Sequence, residues 1–139
     1  MPIPSTWRMH GFIVLAWLQF FGLTAIATYY LLTPSPGDTF AHVWDKALHF
    51  ACWFILLMSL QLPWLFRRKL WAAALVLFAY SALLEGLQFF SPPREFSVGD
   101  MLANGLGILV AWSLLHWGDP LLQRFVRPYL LNFLTEESP

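Results

Sequence analysis

The sequence predicts an all-α membrane protein: a four-transmembrane-helix bundle followed by a C-terminal amphipathic interfacial helix. Three observations carry that prediction. Only 12% of residues are charged against 58% apolar, with thirteen Phe, eight Trp and a mean hydropathy of +0.59; soluble domains carry roughly a quarter of charged residues. Four stretches are long and apolar enough to cross a hydrocarbon core, which takes about 20 residues at about 1.5 Å each. The connections between them are short, so consecutive helices become antiparallel neighbours in a single domain over residues 1–139.

The first span, about 12–32, contains no charged residue. Arg8 precedes it and Ala25-Ile26-Ala27 resembles a processing site. Apolar and aromatic residues continue through Leu32, however, beyond the core of a cleavable signal, so an uncleaved helix is expected. The second span runs over about 46–65, the third over about 70–90 and the fourth over about 98–117. Pro34, Pro36 and Gly37 separate the first pair, Arg67, Arg68 and Lys69 the second, and Ser91-Pro92-Pro93-Arg94-Glu95-Phe96 the third.

The basic residues orient the bundle. With the N-terminus cytoplasmic, that side collects Arg8, Arg67, Arg68, Lys69, Arg124 and Arg127, leaving Lys46 and Arg94 outside, as the positive-inside rule requires. Both termini are then expected in the cytoplasm. Trp7, Trp64, Trp71 and Trp117 fall at the inner boundary, and Tyr29 and Tyr30 at the outer one, as interfacial anchors. From about 120 to 134, Leu121, Leu122, Phe125, Val126, Tyr129, Leu130 and Phe133 recur at helical spacing with Arg124 and Arg127 on another face. That pattern predicts a helix lying in the inner interface, kinked or divided at Pro128.

Composition also excludes partners. Net charge is zero and the basic residues form no stripe that follows a phosphate backbone, so nucleic acid is not expected. The lone Cys52 allows no intrachain disulfide. Membrane lipids are the expected surroundings. The spacing fixes no oligomeric state.

Against this apolar background, polar residues gather at one level. Asp45 and His49 are four apart, Glu85 and Gln88 three apart, and Asp100 and Asn104 four apart, so each pair shares one face of its helix. All six fall at the outer ends of spans two, three and four. Glu85 lies about five residues below the end of its span, roughly 7 Å deep by helical rise, where a carboxylate facing lipid costs several kcal/mol. It therefore faces inward or is protonated. Arg94 in the following loop offers a planar fork to Glu85, Asp100 or a ligand anion. Gly105 and Gly107 strip bulk from the fourth helix beside Asn104 and permit close approach.

The same residues carry a resemblance. Asp45-Lys46-x-x-His49-Phe50, Glu85-x-x-Gln88, Arg94, and Asp100-x-x-x-Asn104-x-x-Gly107 together resemble the VanZ-like family of small bacterial membrane proteins, over roughly residues 40 to 112. The resemblance implies residence in the bacterial cytoplasmic membrane and an architecture rather than a reaction. The family takes its name from an accessory protein associated with low-level resistance to the glycopeptide teicoplanin, which implies work at the cell envelope.

Three roles compete for the polar residues. In the first, Asp45, Lys46, His49, Glu85, Gln88, Arg94, Asp100 and Asn104 line an outward-facing pocket at headgroup level that binds a lipid-linked envelope precursor or an amphipathic antibiotic. Lys46 and Arg94 would hold its anionic group, helped by the N-termini of helices two and four. In the second, the cluster only locks the helices together or positions a larger complex, with Asp45 and Asp100 as N-caps. In the third, the site is enzymatic, with His49, Glu85 and Asp100 as candidate catalytic groups. No metal and no cofactor is expected, and no His-Glu-x-x-His or glycine-rich phosphate loop is present. A divalent ion on His49, Asp45, Glu85 and Asp100 is the metal variant of that third reading.

Overall fold

The computed structural model describes residues 5–33, 41–64, 70–88, 90 and 97–135. Among these the regular structure is entirely helical: α1 (Ser5–Leu32), α2 (Ala41–Trp64), α3 (Leu70–Gln88), α4 (Val98–Leu121), a π-helical turn (Leu122–Val126) and α5 (Arg127–Thr135). Trp7–Leu32, Leu70–Gln88 and Val98–Leu121 are long and apolar enough to cross a membrane. The outward surface matches that property. Leu15, Leu18, Leu75, Val76, Leu83, Leu102, Leu106 and Leu109 are all more than half exposed, an apolar exterior that water would not tolerate over so large an area.

Side-chain contacts fix the direction of each helix. Gln88, at the end of α3, donates from Nε2 to the Leu31 carbonyl at the end of α1 at 2.6 Å. Lys46, near the start of α2, reaches Asp100 near the start of α4 at 2.9 Å. Glu85, in the last turn of α3, accepts the backbone N–H of Ser97 just ahead of α4. The ends of α1 and α3 and the starts of α2 and α4 therefore share one side of the bundle, the antiparallel order that short connections predict. The exposed Trp7, Trp71 and Trp117 lie toward the other side, and Tyr29 and Tyr30 toward the polar side.

The core runs along the bundle axis below the polar side. Trp53, Leu57 and Ala111 are fully buried, joined by Leu56, Leu60, Leu77, Leu84, Ile108 and Leu115. α1 contributes a narrow stripe, Ala16, Phe20, Ala27 and Leu31, whose spacing keeps them on one helical face. The most intimate packing joins α2 to α4. A Cβ on Gly107 would collide with the Phe50 carbonyl oxygen and lie 3.2 Å from the Phe54 nitrogen, so the two backbones touch there, the close approach that small residues permit. Gly105 faces α3 instead, where a Cβ would meet the Phe78 ring at 3.2 Å.

The C-terminal region departs from the expected break near residue 117. α4 continues through Pro120 to Leu121 before the π-helical turn interrupts it. Proline removes a backbone donor and crowds the preceding turn, and a π-helical turn is one way a helix absorbs such a defect. Pro128 then falls in the first turn of α5, where a missing N–H is tolerated. The chain is divided just ahead of Pro128, and α5 packs back against α1.

Candidate functional site

Among the described residues the buried polar ones are His49, Ser59, Ser81, Glu85, Gln88, Asp100 and Asn104. The two serines return their hydroxyls to carbonyls of their own helices, Leu56 and Phe78. The other five all lie at the polar side of the bundle and belong to the set that the sequence singles out.

The start of α4 organises them. Ser97 is its N-cap: the carbonyl of Ser97 accepts from the N–H groups of Asp100 and Met101 at 3.2 and 3.1 Å, and its Oγ accepts from the Asp100 N–H at 3.3 Å. Serine suits that position because its short side chain satisfies an orphan helix donor. The Ser97 N–H donates in turn to Glu85 Oε1 at 2.9 Å. In a capping box the third helical residue accepts this N–H; here α3 supplies the acceptor, and the third residue, Asp100, is left to reach Lys46. The expectation that Asp45 and Asp100 are N-caps is thereby corrected. Ser97 caps α4, and α2 begins at Ala41, four residues ahead of Asp45. Glu85, 1% exposed, gains both a backbone donor and the positive end of the α4 dipole, which is how a buried carboxylate is accommodated there.

α2 presents Asp45, Lys46 and His49 to this helix start. The Lys46 ammonium lies 2.9 Å from Asp100 Oδ1, with its side chain 49% exposed, and the charges of Asp100, Asp45 and Glu85 all act on it. One turn deeper, His49 Nδ1 and Asn104 Oδ1 are 2.9 Å apart in a fully buried contact. The amide oxygen only accepts, so Nδ1 is the donor of this bond. Nε2 is buried without a hydrogen-bond partner among the described residues, as is Trp53 Nε1 one turn below it. A ring nitrogen of His49 and carboxylate oxygens of Asp45 and Asp100 lie within 4.8 Å of one another.

Alongside runs a groove of about 630 Å³ between α1 and α2. Leu23, Ile26, Ala27, Tyr30, Leu31 and Thr33 form one wall and Asp45, Leu48, His49, Ala51, Cys52, Ile55 and Leu56 the other. Its lining is mostly apolar, and Asp45 and His49 both stand at the polar side of the bundle.

With this geometry established, comparison with known proteins is decisive at the level of family. The VanZ/LLP1 family profile matches residues 5–122. The chain belongs to the VanZ/LLP1 family. That match takes in α1 through α4 and ends where the π-helical turn begins, leaving α5 beyond it. No curated protein and no solved structure matches the chain.

Within this VanZ/LLP1 chain the predicted residues divide by partner. Lys46 joins Asp100, His49 joins Asn104, and Asp45 completes a group with His49 and Asp100. Glu85 and Gln88 share the inward face of α3 but serve other partners, Ser97 and Leu31. His49 is thus oriented by an amide rather than by the Glu85 carboxylate. Arg94 lies outside the described residues. Three contributors escaped the sequence reading. Ser97 was legible as a serine three residues before an acid at a helix start. Gly99 makes room for Lys46, whose Cε would sit 2.9 Å from an added Cβ. The α1 wall of the groove left no sequence signal, because its Leu, Ile and Ala residues look like any lipid-facing stripe.

Proposed function

We propose that this VanZ/LLP1 protein is a four-span protein of the bacterial cytoplasmic membrane, with both termini in the cytoplasm, that binds an amphiphilic envelope molecule from the outer leaflet. α2 serves as the additional span: its 24 residues reach about 36 Å at about 1.5 Å each, and the Asp45 and Lys46 end meets the outer boundary. The π-helical turn and α5 lie in the inner interface, with Phe125, Tyr129 and Phe133 toward the acyl chains and Arg124 toward phosphates.

The observation that carries this reading is the shape of the α1–α2 groove. An apolar channel of about 630 Å³ ends at Asp45 and His49, and the Lys46–Asp100 pair stands beside that end. A molecule with a hydrocarbon chain and a polar, anionic or hydroxylated head matches both parts at once. Lys46 and Arg94 hold the anionic group, and Asp45 and His49 take hydroxyls or amides. A lipid-linked precursor or an amphipathic glycopeptide has that construction, which connects the site to envelope homeostasis and to resistance of the teicoplanin type.

The test is the lipid complement of protein extracted in native membrane discs, measured by mass spectrometry. Ala51→Phe, which fills the groove, and Lys46→Ala, which removes the head-group cation, are each expected to lower one co-purifying amphiphile at least several-fold. Bulk phospholipid should stay constant. An identical profile for both variants and the unaltered protein removes the proposal.

A further inference from the structure

We propose that Asp45, His49 and Asp100 form a divalent-cation site of the zinc or manganese class, for which Lys46 is the built-in competitor. Four observations converge on it. Donor atoms of all three side chains lie within 4.8 Å of one another. Imidazole with carboxylates is a donor set that suits these ions, which such side chains bind at about 2.0–2.2 Å. His49 is 1% exposed, and its Nε2 has no hydrogen-bond partner among the described residues. Its Nδ1 is already held by Asn104 Oδ1 at 2.9 Å, the outer contact that sets the tautomer and aim of a ligating imidazole.

Charge points the same way. Among the described residues three carboxylates, Asp45, Asp100 and Glu85, act on the single ammonium of Lys46. Carboxylates in a low-dielectric layer favour a cation at the position that the Lys46 ammonium takes, whether ammonium or metal. Lys46 occupies Asp100 Oδ1 in the absence of an ion, but its stem is half exposed and can withdraw into the headgroup region. Asp45, the half-buried member, opens the path of entry. Three protein donors leave a fourth position for water or a ligand oxygen. Asp45 and His49 also stand at the polar end of the groove, but the ion needs only these side chains and Asp100, not the apolar length of the groove.

The experiment is equilibrium dialysis of the full-length protein, stripped with a chelator, against Zn²⁺ and separately Mn²⁺, read as bound metal per chain. One ion per chain is expected for one of the two metals. Lys46→Gln, which removes the competitor, is expected to tighten binding about fivefold, the worth of a partly exposed ion pair. Asn104→Ala, which frees the imidazole, should weaken it about tenfold or more. Asp45→Asn, which keeps the side-chain shape and one acceptor oxygen, should abolish stoichiometric binding while unfolding at nearly the same temperature in metal-free buffer. Ala51→Phe should bind the ion normally, which separates this site from the amphiphile reading. Absence of a stoichiometric ion for both metals, or binding that survives Asp45→Asn and is unmoved by Lys46→Gln, overturns the proposal.

Discussion

The two seams that α2 makes, with α4 on one side and α1 on the other, differ in kind. Against α4, backbone meets backbone at Gly107 and Phe50, and the His49–Asn104 and Lys46–Asp100 contacts cross the same seam. Against α1, the helices touch through a narrow stripe and enclose a groove of about 630 Å³. Both seams reach the polar side, and His49 faces both: it bonds Asn104 across one and lines the other. A tight seam fixes where polar atoms point; a loose one leaves room for something to meet them. Neither alone makes a site.

The largest expected effect comes from breaking the tight seam. Gly107→Val drives a branched side chain into the Phe50 carbonyl, a backbone atom that cannot rotate away. Overpacking costs about 1–3 kcal/mol where side chains can shift, and more is expected here because the helices themselves must separate. Thermal unfolding in detergent should show a clear loss, together with disruption of the His49–Asn104 contact. Gly118→Ala on the same helix, where an added Cβ meets nothing within 4 Å, should lose nothing and raise the midpoint slightly through alanine's greater helix propensity.

Next comes the link that sets the start of α4. Glu85→Ala strips the Ser97 N–H of its acceptor, and a donor left unsatisfied in this half-buried place costs about 1 kcal/mol, the low end of the range for buried groups. Glu85→Gln keeps an acceptor oxygen and should lose less than half as much in the same denaturation experiment. Equal losses would mean that the charge of Glu85, rather than its hydrogen bond, supports the helix start.

These two positions show what was legible beforehand. Gly107 and Glu85 were both visible, one as a missing side chain beside Asn104, the other as a carboxylate too deep to face lipid. Helical periodicity also placed Asp45, His49, Asp100 and Asn104 at one depth, because an i, i+4 pair shares a face whatever the neighbours are. Partners were not legible. Glu85 and Gln88 look like one pair in sequence, yet they bond to Ser97 and Leu31, since interhelical rotation decides which groups a side chain reaches. Ser97 rather than Asp100 caps α4 for a similar reason: both are good caps, and the register of the loop selects between them.

Filling the loose seam should do far less harm than filling the tight one. Ala27→Leu adds bulk to a residue that lines the groove from α1 but also belongs to the packed α1 stripe, at 8% exposure, so the groove takes up the added atoms only in part. A loss of about 1 kcal/mol is expected, at the low end of what overpacking costs, because one side of the site is open. Unfolding midpoints of Ala27→Leu and Gly107→Val measured side by side would test the contrast. A comparable loss at both positions would show that the α1–α2 seam closes up.

The smallest effect should fall at Gly99, which lies two turns from Gly107 on the same helix. A Cβ there would sit 2.9 Å from Lys46 Cε and 3.1 Å from its Nζ, nominally a clash like the one at Gly107. The difference lies in what is struck. At Gly107 it is the backbone of a packed helix; at Gly99 it is the end of a half-exposed, flexible side chain. Gly99→Ala should therefore shift Lys46 and weaken its bond to Asp100, a partly exposed ion pair worth about 0–1 kcal/mol, while alanine offsets part of that loss through its greater helix propensity. The net change in the unfolding midpoint should be near zero. The functional consequence need not be, because a displaced ammonium leaves the Asp100 carboxylate open to a competing cation. Gly99→Ala should therefore mimic Lys46→Gln in metal dialysis, in direction and to a smaller degree, while a large loss of stability would show that Lys46 is held far more rigidly than its exposure implies.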